Sequence, residues 1–266
     1  MNVVASSTGN LVRARVGRRM SVLHLLALEA QMEFKRLLRN PSFCVPIIAF
    51  PLMFYVLFAI VMGPPPGTGG IARRLLASYT VFGAMGPGLF GIGVTFALDR
   101  ERGLLSLKRA LPMPPGVYLG AKVLMAAAFA AVISLLLMVI AATAGQVVLE
   151  ALQWGELFGL ALLGVLPFCS LGLLVGTLIK GQAAPAILNL LYLPMSFLSG
   201  VIFPVSSLPH PLGWIAPLWP SYHLVQLAQR VVDGDRGQRT AAHVVAVAVE
   251  AAVLFALARR RMSKLS

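Results

Sequence analysis

The chain has 266 residues, 58% of them hydrophobic and only 12% charged, and a formal net charge of +13. A soluble domain carries about 25% charged residues, and apolar surface on this scale, with a mean hydropathy of +0.85, cannot be hidden in one water-soluble core. The 22 Lys and Arg residues sit in short clusters between long uncharged stretches and form no single basic face, which argues against a nucleic-acid partner.

Taken in chain order, residues 1–20 carry no periodic pattern and are expected to be a disordered cytoplasmic tail; they also lack the outline of a cleavable signal peptide. Residues 21–266 read as one transmembrane domain. It starts with an amphipathic helix over 21–39. Leu23, Leu26, Ala30, Phe34 and Leu37 step by three or four, with His24, Gln31, Lys35 and Arg39 on the other side. Such a helix lies in the headgroup plane.

A hydrocarbon core of about 30 Å needs about 20 apolar residues per crossing. Six stretches qualify, over residues 42–62, 77–98, 117–144, 157–179, 183–204 and 241–258. Lys122, near the start of the third, is expected to snorkel to the surface. Gly172-x-x-x-Gly176 in the fourth, and Gly83, Gly86, Gly88, Gly91 and Gly93 in the second, allow helices to approach closely. Between the fifth and sixth stretches, Val205–His223 is apolar but broken by Pro209, Pro211, Pro217 and Pro220. With Trp214, Trp219 and Tyr222 it suits a short re-entrant or interfacial element at the outer surface. The expected fold is an all-α integral membrane protein with six transmembrane helices.

Basic residues set the orientation. With the N-terminus inside, seventeen Lys and Arg residues face the cytoplasm and five face out. A multi-pass protein of the inner or plasma membrane with both termini cytoplasmic is therefore expected.

Groups able to do chemistry are few. Cys44 and Cys169 each lie in an apolar stretch and read as small buried side chains, and no histidines have metal-ligand spacing. Glu250 is the intramembrane polar candidate, because a carboxylate in lipid is costly unless it is protonated or paired. Ser199-Gly200 and His243 offer a weak case for an intramembrane serine protease, since the glycine expected before the nucleophile is missing. The chain has no Gly-Lys pair, so it has no phosphate-cradling loop.

The densest signal is Asp99-Arg100-Glu101-Arg102-Gly103-Leu104-Leu105-Ser106-Leu107-Lys108-Arg109-Ala110-Leu111-Pro112-Met113-Pro114-Pro115. It reads as a charge cluster leaving the second span, about two turns of helix, and a stop at the prolines. A helix this short cannot bury Leu104, Leu105 and Leu107 unaided. Mixed charges beside apolar anchors suit a groove on a partner protein.

That run resembles the coupling-helix loop of ABC-2 type (type V) exporter permeases. Phe197-Leu198-Ser199-Gly200-Val201-Ile202-Phe203-Pro204, followed by Leu208-Pro209 and Leu218-Trp219-Pro220, is similar to the end of that family's fifth span and its re-entrant outer element. The resemblance covers nearly everything after residue 20. It implies a permease subunit without a nucleotide site, paired with a second permease subunit as a homodimer or heterodimer and surrounded by membrane lipid. Separate ATPase subunits would dock on a cytoplasmic coupling helix. Glu101 and Arg102 would make polar contacts there, Leu104, Leu105 and Leu107 apolar ones, with Gly103 between them. No cofactor is expected on this chain; ATP and Mg would act through the partner. The apolar, Met-containing spans favour a hydrophobic drug-like or lipidic cargo over a polysaccharide or lipid-linked glycan. An ion-coupled carrier and an intramembrane enzyme are the readings from other classes.

Overall fold

The computed structural model describes residues 21–64, 70–105, 107, 115–203, 205, 209–235, 237 and 239–264. Every regular element among them is helical. The tail 1–20 and most of the stretch expected to form the coupling helix, residues 106 and 108–114, lie outside the described residues.

Helix α1 (Val22–Leu38) begins where the Ser21 side chain accepts from the His24 N–H at 3.2 Å, closing the first turn as an N-cap does. Helix α2 (Pro41–Tyr55) continues as a π-helical turn to Val61. Helix α3 (Ile71–Glu101) has a π-helical segment in its middle, starting at Pro87. The proline has no N–H to give the preceding turn, and the wider turn absorbs the mismatch. Helices α4 (Pro115–Thr143) and α5 (Ala151–Leu178) follow, then α6 (Ala184–Leu198), a one-turn α7 (His210–Gly213), α8 (Pro220–Asp233) and α9 (Arg239–Met262).

Five of these helices are long and apolar enough to cross a membrane: α2 with its π turn, α3, α4, α5 and α9. The fifth expected span is the exception. It is the 15-residue α6, about 22 Å long at 1.5 Å per residue, preceded by a 3₁₀ turn at Gly181–Ala183.

Helix α3 is the hub. Buried residues make up 83% of its apolar window but only 6% of that of α9, so α9 lies at the edge. Small residues let α3 touch α5 backbone to backbone. A Cβ on Gly172 would stand 2.5 Å from the Leu89 carbonyl oxygen, and one on Gly176 would stand 2.8 Å from that of Gly93. The close approach expected from the glycine spacing is therefore real, and it brings the two most central helices together.

Two apolar clusters fill the bundle. At the end carrying residues 99–107, called here the loop end, Phe34 of α1 packs on Phe129 of α4 with ring centroids 4.7 Å apart. Phe96, Met125, Cys169 and Leu173 pack around them. Toward the opposite, far end, Tyr55, Tyr79, Phe82 and Tyr192 build an aromatic core against Leu224, Val225 and Ala228 of α8. Cys44 and Cys169 are buried free thiols.

Helix α8 is the largest surprise. Residues 224–240 lie between the expected outer element and the sixth expected span, where no helix is expected. Instead, Leu224, Val225, Leu227, Ala228 and Val232 form one buried face. The proline-rich approach to it is a chain of short turns, with Pro211, Pro217 and Pro220 each at a helix start, where a missing N–H costs nothing. The far end of α8 is clamped. Arg73 and Arg74 of α3 reach Asp233 at 3.3 and 3.4 Å. Gln153 of α5 donates to the Val231 carbonyl at 2.8 Å.

Candidate coupling site

Three consecutive charged residues end α3, and each goes a different way. Asp99 turns inward and is 1% exposed. Arg100 reaches sideways to the C-terminus of α5, donating to the Thr177 carbonyl and, at 2.7 Å, to that of Ile179. Those carbonyls lack helical partners, and a cation suits the negative end of the helix dipole. Glu101 points outward and is exposed. Its carboxylate covers Gly181, where an added Cβ would come within 2.6 Å of Oε2.

The tip follows directly. Arg102 caps α3, with its N–H donating to the Leu98 carbonyl at 3.0 Å. Gly103 turns the chain at a φ of +71°, a left-handed conformation that costs other residues about 1–2 kcal/mol. Arg102 and Gly103 are exposed, Leu104 and Leu105 are half-buried, and Leu107 is 63% exposed. Leu105 packs on the loop-end cluster. The predicted contact residues thus divide: Glu101, Arg102, Gly103 and Leu107 face outward, while Leu104 and Leu105 partly serve the fold.

Changing Gly103 to Ala is expected to strain this turn by about 1 kcal/mol, although the new methyl group would meet nothing within 4 Å. Transport activity should fall while the yield of folded protein stays constant. Unchanged transport would show that the turn's shape is unimportant.

The root of the loop is a closed ionic cluster that sequence reasoning missed. Lys122 of α4 is fully buried, contrary to the expected snorkelling. Its ammonium lies 3.2 Å from Asp99 of α3 and 3.4 Å from Glu33 of α1. It also donates to Thr95 Oγ1 at 2.8 Å and sits 5.0 Å from the centre of the Tyr118 ring. The Tyr118 hydroxyl donates to Asp99 at 2.8 Å. Arg36 of α1 completes the ring, 3.2 Å from Asp99 and 3.7 Å from Glu33. Burial works against the Arg36 charge, but Asp99 and Glu33 outweigh it and raise the guanidinium above its ordinary pKa.

Two carboxylates and two cations make a neutral set. Neutrality and dense hydrogen bonding allow Lys122 to stay inside, where a lone charge would be expelled. The cluster welds α1, α3 and α4 together at the point where the exposed tip begins. One signal in the sequence could have revealed it. Glu33 follows Leu26 and Ala30 and precedes Leu37 at helical spacing, so it falls on the face of α1 that packs inward.

Glu250 belongs elsewhere. On α9, its Oε1 lies 3.9 Å from Nε2 of His223 on α8, and His223 in turn meets His243, with the two Nδ1 atoms 2.9 Å apart. Ser199 donates to the Met195 carbonyl of its own helix, so the two residues of the protease reading are engaged separately. Among the described residues, no group of three or more His, Cys, Asp or Glu side chains could hold a metal ion.

Five helices long and apolar enough to cross a membrane, with little else among the described residues, define an integral membrane protein. The sequence model of the ABC-2 type transporter family matches residues 25–231, and the chain belongs to that family. It is also similar to the "Putative transport permease YvfS" of Bacillus subtilis (strain 168), with 28% identity over 214 residues, 80% of this chain and 87% of the relative. The protein is a membrane permease subunit.

Proposed function

We propose that this chain is the membrane-spanning half of an ATP-driven exporter, which carries a hydrophobic drug-like or lipidic substrate out of the cytoplasm with energy from a separate ATPase subunit. The observation that carries this reading is the division of residues 99–107 into a buried root and an exposed tip. Asp99 and Arg100 are locked into three other helices or helix ends. Glu101, Arg102 and Leu107 present two charges and an apolar side chain outward. A groove that captured the tip and moved would carry α1, α3, α4 and the end of α5 with it.

In this reading the loop end faces the cytoplasm, both termini lie there, and the far end faces outward. The membrane is the cell's inner or plasma membrane. ATP and Mg are bound by the ATPase, and two permease subunits enclose the pathway. Helix α6 then serves as a sixth, short crossing completed by the turns leading to α8. The apolar surfaces of the spans favour a hydrophobic cargo over a glycan, which would need more polar lining.

The test is a pull-down of the protein from its native membrane together with its ATPase. Changing Glu101 and Arg102 to Ala should reduce the recovered ATPase about tenfold or more, as expected for losing two charged contacts at an interface, without lowering the amount of folded permease. Full recovery of the ATPase with the double variant would remove the tip as the docking site.

A further inference from the structure

Two imidazoles close the seam between α8 and α9. The Nδ1 atoms of His223 and His243 lie 2.9 Å apart, and the Tyr222 ring packs against both, with centroids 5.3 and 6.2 Å away. Nε2 of His223 faces the Pro217 carbonyl at 3.1 Å. Beyond it lies Glu250, its Oε1 3.9 Å from the same nitrogen, and its buried Oε2 has no hydrogen-bond partner among the described residues. Neither the coupling site nor the clamp at Asp233 uses these groups.

The contacts fix the number of protons. A carbonyl oxygen only accepts, so Nε2 of His223 carries a hydrogen, and two Nδ1 atoms this close need one hydrogen between them. In the neutral pair that hydrogen belongs to His243, which donates to the bare Nδ1 of His223. A third proton takes Nε2 of His243, the ring nitrogen still bare, and leaves the contact intact. A fourth has no place except between the rings, where one already sits, and two facing N–H groups repel.

The neighbouring charges divide. Arg230 of α8 and Arg239 of α9 stand within electrostatic reach of His243, and Arg230 donates to Thr240, one turn before it, at 3.2 Å. Glu250 supplies the counter-charge on the His223 side. The other charged groups at this end have partners of their own. Arg73 and Arg74 hold Asp233, Glu150 caps α5, Asp235 accepts from the Gly237 N–H, and Glu156 of α5 is engaged as well. Burial holds the His223 imidazole below its ordinary pKa, against the opposing pull of the Pro217 carbonyl, so the pair rests uncharged at neutral pH.

We propose that His223 and His243 form a proton-operated latch, closed while the pair carries no more than one extra proton and opened when acid gives each ring its own charge. The sign follows from the count: the open form binds more protons, so the closed form is favoured at high pH and lost as pH falls. The seam borders a cavity of about 690 Å³ between α5, α8 and α9, lined in part by Arg230, Thr240 and Val244, and parting the helices widens it. Only the external source of the acid rests on the orientation proposed above, which turns this end outward.

Electron–electron resonance distances in detergent test the latch, with spin labels on Gln226→Cys of α8 and Ala248→Cys of α9. The native Cys44 and Cys169 are buried and escape labelling. Histidine changes charge between about pH 5 and 8, so a second, longer distance should appear between about pH 7.5 and pH 5. Below about pH 6.5 the ratio of closed to open protein should fall about tenfold or more per pH unit, as uptake of at least one proton requires. His243→Asn turns either an N–H or an oxygen toward His223 and takes no proton, so it should stay closed throughout. His243→Leu offers neither and should be open even at the higher pH. A parent distance that ignores pH, an Asn variant that opens with the parent, or a Leu variant that stays closed overturns the proposal. The measurement involves no ATPase, so such a result leaves the docking reading standing.

Discussion

Replacing Lys122 with Met is expected to destabilise the protein by about 3–5 kcal/mol, the usual result of removing one partner from a buried ion pair. The side chain is of similar length, so packing is largely kept and the loss is electrostatic. Asp99 and Glu33 would be left facing each other around the missing ammonium, each within 3.4 Å of where it stood. Arg36 lies beside both carboxylates and Tyr118 still holds Asp99, so the set is left with two negative charges against one positive. A thermal melt of the purified protein should therefore fall by about 10 °C. Adding Glu33→Gln to the Lys122→Met variant should restore part of the loss, because it brings the remaining set back to equal charges. A Lys122→Met protein that melts like the parent would show that the cluster contributes no net stability. If the cluster also transmits motion from the tip, Lys122→Met should reduce transport more than its melting loss predicts. Normal transport at a temperature where the variant is fully folded would refute that role.

The second large effect is expected where α3 meets α5. Gly172 faces the Leu89 and Gly88 carbonyl oxygens at 2.5 and 3.0 Å from an added Cβ, and backbone oxygens cannot swing aside as a side chain can. Gly172→Ala should force the two central helices apart and cost about 1–3 kcal/mol, as overpacking does in a well-filled core. Gly172→Leu should prevent a stable bundle from forming and be lost from the folded fraction in fluorescence-detected gel filtration. Gly159, on the same helix but with nothing within 4 Å of an added Cβ, supplies the control. Gly159→Ala should leave the melt unchanged or raise it slightly, since alanine is the better helix former. Equal effects at both positions would rule out the backbone crossing as the cause.

Much of this architecture was legible in the chain. Lipid as solvent demands about 20 apolar residues per crossing, and that demand is written in composition; of the six stretches it marks, five form helices long and apolar enough to cross. The glycine spacing of α3 and α5 announced a close contact, and the structure pairs those two stretches. The charge-rich exit from α3 suggested a surface for a partner, a reading that stays with the proposed function. All three readings depend on local pattern, which a sequence carries directly.

What the chain concealed depended on distant partners or mixed patterns. Helix α8 hides because polar residues such as Gln226 and Gln229 alternate along the chain with those of its buried face, and because prolines crowd its entrance. Only contact with α3, α5 and α9 makes its apolar stripe worth burying. Helix α6 shows the converse: an apolar run of spanning length stops early, at Leu198, and breaks into turns. The ionic cluster is the clearest case. Arg36 and Asp99 are 63 residues apart, and nothing between them indicates that they meet. By itself the sequence could price Lys122 as a charge best sent to the surface, since an isolated charge cannot remain in a dry interior. Only the tertiary structure, by bringing Glu33, Asp99 and Arg36 to the same point, makes the interior its favourable place. The sequence determined that this protein lives in lipid; the packing decided where the fifth apolar run ends, which charges stay inside and how the exposed loop is rooted.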